Sequence, residues 1–139
     1  MVAKIKLMIV DDVLMVRLGL QQMLRKIDTI EIIAEADNGQ IFLDKIAINR
    51  PDVVLMDVKM PVMNGIEATK KGLNTNPQMK VIALSADCNE SSIDEMVLSG
   101  AKGFLLKSVG IAELQKAIET VLNGGTYYSN ELVTAYKLK

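Results

Sequence analysis

The sequence predicts a single-domain, doubly wound α/β protein, with a five-stranded parallel sheet and five helices. Three observations carry this. Short apolar runs recur at about 25-residue intervals, the spacing of repeated strand–helix units. The runs are apolar largely at consecutive rather than alternate positions, as strands covered on both faces require. Between the runs, apolar residues repeat with the helical period. Crossovers of this kind are right-handed, so the helices should fall on both faces of the sheet.

The first strand is Ile5–Val10, stopped by Asp11-Asp12. Val16, Leu20, Met23, Leu24 and Ile27 then mark one face of a helix. The second strand is Ile30–Ala36, followed by a helix through Phe42, Leu43, Ile46 and Ala47 that must stop before Pro51. The third strand, Val53–Met56, leads to Asp57; its helix begins near Met63 and weakens at Gly72, ahead of Asn74-Thr75-Asn76-Pro77. The fourth strand is Val81–Leu84. Its helix carries Ile93, Met96, Val97 and Gly100, with Ser92 and Glu95 spaced as a capping box. The fifth strand, Gly103–Leu106, leads to a helix through Ile111, Leu114, Ile118, Val121 and Leu122, closed by Gly124-Gly125. The tail from Thr126 holds Tyr127, Tyr128, Leu132, Val133 and Tyr136; it is expected to be a short docking helix or the start of a linker.

Composition removes several classes of function. The chain has 139 residues, half of them hydrophobic and 24% charged, which suits one globular domain with a substantial core. Sixteen basic against seventeen acidic side chains leave no strongly charged face, and no basic stripe is interleaved with aromatics, which argues against direct nucleic-acid binding. Histidine is absent, which excludes Ser-His-Asp and Cys-His catalysis and any histidine-ligated metal. The single cysteine, Cys88, makes neither a disulfide nor a zinc cluster and fits a reducing compartment. The N-terminus lacks a signal-peptide layout and no apolar run reaches membrane-spanning length, so a cytoplasmic protein without a membrane partner is expected. The nine methionines fall mostly at apolar core positions, where plain packing accounts for them.

Ligands of an open parallel sheet bind beyond the carboxyl ends of its strands. There the sequence places Asp11-Asp12, Asp57, Ser85 and Lys107. Singly, each has an ordinary explanation: Asp12 as a helix cap, Ser85 as a turn residue, Lys107 as a solvated cation, Phe104 as core. Together they converge on one edge. Three carboxylates repel one another unless a cation sits among them, and an all-oxygen donor set suits Mg²⁺ or a similar hard ion such as Mn²⁺. A carboxylate, a hard dication, a lysine and a hydroxyl are the parts of phosphoryl transfer.

Four segments then carry a resemblance: Ile9-Val10-Asp11-Asp12; Asp57-Val58-Lys59-Met60-Pro61-Val62-Met63-Asn64-Gly65; Leu84-Ser85-Ala86; and Gly100-Ala101-Lys102-Gly103-Phe104-Leu105-Leu106-Lys107. From about Lys4 to Leu132 the chain resembles the CheY-like receiver domains of two-component response regulators. The resemblance implies a flavodoxin-like strand order 2-1-3-4-5. It makes Asp57 the phosphoacceptor, charged by a phosphohistidine on a sensor histidine kinase. Asp12 matches the direct Mg²⁺ ligand, Asp11 its partner, and the backbone carbonyl of Lys59 a further ligand beside Asp57. Lys107 and Ser85 match the residues that close on the phosphoryl group, and Phe104 the aromatic that follows them. The fourth helix, fifth strand and fifth helix then change as a surface, the family's usual homodimer or partner contact. The domain implied is a signalling module, not an enzyme in its own right.

Asn64-Gly65-Ile66-Glu67-Ala68-Thr69 and the stretch from Ala117 to Ser129 resemble the LuxR/NarL-type branch, whose output is a DNA-binding helix-turn-helix. Residues 1–125 are accordingly assigned to the receiver, and 126–139 to a tail or the start of a linker toward an output domain through which DNA would be reached. A stand-alone receiver acting by protein contact is the alternative. Two departures stand out: Ser108 follows Lys107 where many receivers have proline, and Gly72 sits where an apolar residue is typical, so the third helix is expected to end early with Leu73 packing in its place. Lys59 and Asp87 each lie two residues after a site residue and carry opposite charge. They are expected to pair across the site mouth and tune the phosphoryl lifetime, against the plain alternative of an exposed ion pair of little energy.

Two other classes share the fold. A haloacid-dehalogenase-like phosphatase wants a second acid two residues after its nucleophile, where this chain has Lys59. A flavodoxin-like cofactor binder wants a hydroxyl- and glycine-rich loop after the first strand, where this chain has Asp11-Asp12-Val13-Leu14-Met15.

Overall fold

The computed structural model describes residues 3–86 and 90–129. The chain alternates β1 (Ile5–Val10), α1 (Leu14–Leu24), β2 (Ile30–Ala36), α2 (Gly39–Ile46), β3 (Val53–Asp57), α3 (Gly65–Thr75), β4 (Lys80–Ser85), α4 (Glu90–Ser99), β5 (Gly103–Leu106) and α5 (Ile111–Leu122), and ends in a two-residue β6 (Tyr127–Tyr128). The strands form one sheet in the order β2-β1-β3-β4-β5-β6, all neighbours parallel.

The five-stranded core has the expected order, and β6 is an addition. Tyr127 N–H donates to the Lys102 carbonyl at 2.9 Å and Ser129 N–H to the Phe104 carbonyl at 3.1 Å. These bonds occupy the outer edge of β5, which would otherwise present unpaired backbone groups. The remaining tail residues Leu132, Val133 and Tyr136 lie outside the described residues, as do Asp87 and Cys88.

Consecutive apolar residues in each strand divide between two cores. Met8, Val10, Val54, Met56, Val81, Ala83 and Phe104 face α2, α3 and α4, which contribute Phe42, Ile46, Ala68, Ile93 and Met96. Leu7, Ile9, Val53, Leu55, Ile82, Leu84 and Leu105 face α1 and α5, which contribute Leu20, Leu24, Leu114, Ala117, Ile118 and Val121. The period-two alternation of side chains turns an unbroken apolar run into two buried faces. Of the methionines, Met8, Met56, Met63, Met79 and Met96 are core, whereas Met15 is exposed.

Two helix expectations are corrected. α3 does not end at Gly72 but runs on to Thr75. Gly72 is buried, and a Cβ there would lie 2.8 Å from the Phe42 ring, so the missing side chain makes room for an aromatic of α2. Leu73 does pack against the same core, from within the helix. α4 begins at Glu90, so Ser92 lies inside the helix and cannot be its cap. Caps occur elsewhere: Asn38 accepts from Ile41 N–H at 2.9 Å, and Asn64 from Glu67 N–H at 3.0 Å.

Candidate phosphoryl and metal site

At β1 the strand order reverses, with β2 on one side and β3 on the other. The crevice at such a switch point, beyond the carboxyl ends of the strands, is where this architecture binds ligands. Asp11 follows β1, Asp57 ends β3, Ser85 ends β4 and Lys107 follows β5. Parallel pairing puts all of them at one end of the sheet. Asp12, Asp57, Val58, Lys59, Ser85, Ala86 and Lys107 line a cleft of about 90 Å³. A larger hollow, about 470 Å³ between α1, β2 and α2, contains none of the expected site residues.

Asp11 is fully buried and Asp57 is 3% exposed, whereas Asp12 is exposed. Each of the three offers a carboxylate oxygen, and these atoms lie within 4.8 Å of one another. Lys107 Nζ bridges the buried pair, 2.9 Å from Asp11 Oδ2 and 3.1 Å from Asp57 Oδ1. Asp57 Oδ1 also accepts a long bond, 3.4 Å, from Lys59 N–H, while its Oδ2 is buried and has no hydrogen-bond partner among the described residues. One ammonium therefore bridges two of three clustered carboxylates, and one buried Asp57 oxygen has no donor among the described residues. That imbalance fits a divalent cation, and the all-oxygen donors fit a hard one.

The same imbalance shifts the titrations. Burial, then the neighbouring Asp11 charge, pushes the Asp57 carboxyl up to about 6, against the opposing pull of Lys107. Burial pulls the Lys107 ammonium down, but its bonds to Asp11 and Asp57 outweigh that and hold it above the ordinary lysine value.

Gly65, the first residue of α3, sets the approach of that helix to the acceptor. Its N–H donates to the Val58 carbonyl at 2.9 Å, and a Cβ at this position would stand 2.0 Å from the Asp57 carbonyl oxygen. Only glycine permits this packing. In the loop between them, Val62 has φ 67° and is 81% exposed, an uncommon conformation for a β-branched residue. Phe104 is buried against the core on the α4 side of β5. Ser85 is 7% exposed at the end of β4.

The expected residues Asp11, Asp12, Asp57, Ser85 and Lys107 thus meet at one edge, with the Lys59 backbone beside them and Phe104 behind. Asp87 lies outside the described residues, so the expected pairing with Lys59 is not placed. Two further participants carried no assigned role in the sequence. Gly65 sits inside a quoted motif, which was its only signal. Arg17 was visible only as one of three arginines, yet it donates to the Asp11 carbonyl.

A phosphoacceptor-like buried aspartate, an acidic cation cluster and a bridging lysine on this fold define a class, and comparison with known proteins agrees. The family model described as the response regulator receiver domain matches residues 7–119, and the chain belongs to that family of phosphorylation-switched signalling domains. It is 41% identical over 136 residues to the response regulator GacA of Pseudomonas syringae pv. syringae (strain B728a), covering 97% of this chain and 63% of the relative. It is 40% identical over 128 residues to the transcriptional regulatory protein LnrK of Bacillus subtilis (strain 168), covering 92% of this chain and 58% of the relative. The structure of a LuxR-family two-component response regulator from Aurantimonas sp. SI85-9A1 superposes with a TM-score of 0.92 at 26% identity, covering 98% of this chain and 97% of that one. The chain spans about three fifths of the length of the curated relatives it matches.

Proposed function

We propose that Asp57 accepts a phosphoryl group from a phosphohistidine of a sensor histidine kinase and that the resulting acyl phosphate switches the surface of the domain. The observation that carries this is the Lys107 bridge to two buried carboxylates beside a third, with one Asp57 oxygen lacking a partner among the described residues. An Asp57 carboxylate oxygen attacks the phosphorus in line, the P–N bond to the kinase imidazole breaks, and the imidazole, protonated beforehand on its other ring nitrogen, leaves as neutral histidine. Asp11, Asp12, Asp57 and the Lys59 carbonyl would hold Mg²⁺, or Mn²⁺ in its place, and the ion would neutralise the phosphoryl oxygens. Lys107 exchanges part of its pairing with Asp57 for a phosphoryl oxygen, and the Ser85 hydroxyl donates to another. Phe104 follows that movement, and α4, β5 and α5 form the surface that changes, available to a second copy or a partner. Lys59 and Asp87 set how quickly water reaches the acyl phosphate. The module catalyses nothing beyond its own phosphorylation and dephosphorylation.

Val13, Leu14, Met15 and Leu18 are exposed apolar residues at the start of α1, beside the acidic cluster, and give a kinase a place to dock. The match to a transcriptional regulator that is longer than this chain supports a transcriptional output, reached through a DNA-binding domain joined after the tail that begins at residue 126. A cytoplasmic setting follows from that role, and among the described residues no helix is long and apolar enough to cross a membrane.

The test is intact mass after incubation with Mg²⁺ and acetyl phosphate, or with a phosphorylated histidine kinase. The expected result is one added phosphoryl group on the wild type and none on Asp57→Ala. An equal adduct on both proteins, or none on either with any donor, rejects Asp57 as the acceptor.

A further inference from the structure

Arg17 is tied to the acidic cluster from behind. It lies on α1, partly buried, and its Nη1 donates to the backbone carbonyl of Asp11 at 2.7 Å. Its Nε donates to Glu35 Oε1, near the end of β2, at 3.0 Å. Gln21 donates to the other Glu35 carboxylate oxygen, and Lys45 Nζ donates to the Glu35 carbonyl at 2.5 Å. One guanidinium therefore joins α1, the end of β1 and the end of β2. On its other side Asp11 is equally constrained, because its Oδ1 accepts from Val13 N–H at 2.9 Å and its Oδ2 pairs with Lys107.

We propose that Arg17, oriented by Glu35, is a positioning residue for the cation site: it holds the Asp11 carbonyl so that the Asp11 and Asp12 carboxylates keep their spacing to Asp57. The inference rests on reading the acidic trio as that cation site. Three carboxylates within 4.8 Å repel one another, and a hydrogen bond to the Asp11 carbonyl opposes movement of the first away from the others. A planar fork bonded to a carbonyl and a carboxylate at once resists that movement better than a single flexible ammonium would. Glu35 has a second effect. Its carboxylate offsets the charge of the guanidinium beside a site meant for a cation.

The experiment is calorimetric titration of Mg²⁺ into the metal-free protein for wild type, Arg17→Ala, Arg17→Lys and Glu35→Gln, with melting in EDTA for each. Gly72→Ala serves as a destabilised control remote from the site. The expected result is a Mg²⁺ Kd raised about tenfold in Arg17→Ala, the scale seen when groups that orient metal ligands are removed. Arg17→Lys should fall between that variant and wild type. Glu35→Gln should weaken binding as well, and Gly72→Ala should keep the wild-type Kd despite its lower Tm. Should Arg17→Ala fail to fold, Arg17→Lys and Glu35→Gln decide the question. A wild-type Kd in the Arg17 variants overturns the proposal, as does a weakening no greater than that of the control at equal loss of Tm. A wild type that binds no Mg²⁺ overturns the cation site and the clamp together, and so separates failure of the site from failure of the clamp.

Discussion

At Asp57, burial and the Asp11 charge work against ionisation, and the consequence for stability has a definite sign. The folded pKa of about 6 lies above the ordinary value of 3.8, so the metal-free fold binds this proton more tightly than the unfolded chain does. The contribution of this carboxyl is therefore fully favourable below the ordinary value, and it is lost as pH rises through the folded value. Asp57→Asn removes the buried charge. In EDTA at pH 7.5 it should be more stable than wild type by about 2 kcal/mol, and the difference should vanish near pH 4. Denaturant melts at the two pH values check this. Two glycines make a second contrast at the same scale. Gly65→Ala drives a methyl into the Asp57 carbonyl, which is backbone and cannot move aside, whereas Gly72→Ala meets the edge of the Phe42 ring. Both should lose about 1–3 kcal/mol, Gly65→Ala at the upper end. Only Gly65→Ala should also slow phosphorylation by acetyl phosphate at saturating Mg²⁺, as mass spectrometry over time would show.

Among the elements, caps and edges matter more than propensity. α2 spans Gly39–Ile46, too short to persist without packing and a cap. Asn38→Ala should therefore destabilise the domain by about 1 kcal/mol, read as a shift in denaturant midpoint without a change in slope. β6 shows how an element escapes a sequence reading. Two tyrosines give no period, and their strand exists only because β5 has a free edge. Tyr127 OH then donates to Glu113 Oε2 on α5 at 3.2 Å, which secures the chain as it leaves the domain. The continuation of α3 past Leu73 to Thr75 escaped for a similar reason, since a glycine near a helix end suggests an early stop until the aromatic that fills its place is known.

For the molecule as a whole, the two-faced sheet brings four strand ends to one edge, where the proposed cation site would couple ion binding to global stability. A ligand that binds only the folded state stabilises it by mass action, about 1.4 kcal/mol at ten times its Kd. Mg²⁺ should therefore raise the wild-type Tm in a concentration-dependent way that EDTA reverses, whereas Ca-free monovalent salt at equal ionic strength should not. The increase should shrink in Asp12→Asn, which removes an exposed carboxylate of the trio and leaves the Lys107 bridge in place. A Tm insensitive to Mg²⁺ would count against the cation site. Family membership and this edge together account for a domain whose chemistry occupies few residues while most of the chain holds them in register.

The alternation of strands and helices is legible in the order of residues, because consecutive apolar runs and helical periods are local patterns that solvent exclusion reads directly. That order also placed Asp11, Asp12, Asp57, Ser85 and Lys107 at strand ends, and so implied that they meet, because parallel strands align their carboxyl ends. It took the packed molecule to reveal that Lys107 bridges Asp11 and Asp57, that Arg17 reaches the Asp11 carbonyl, that Gly72 makes room for Phe42 and that Tyr127–Tyr128 extend the sheet. Each of these depends on a partner remote in the chain or on a distance of a few tenths of an ångström. Burial is likewise a property of the packed molecule, which is why the raised Asp57 pKa could not be read from the order of its residues.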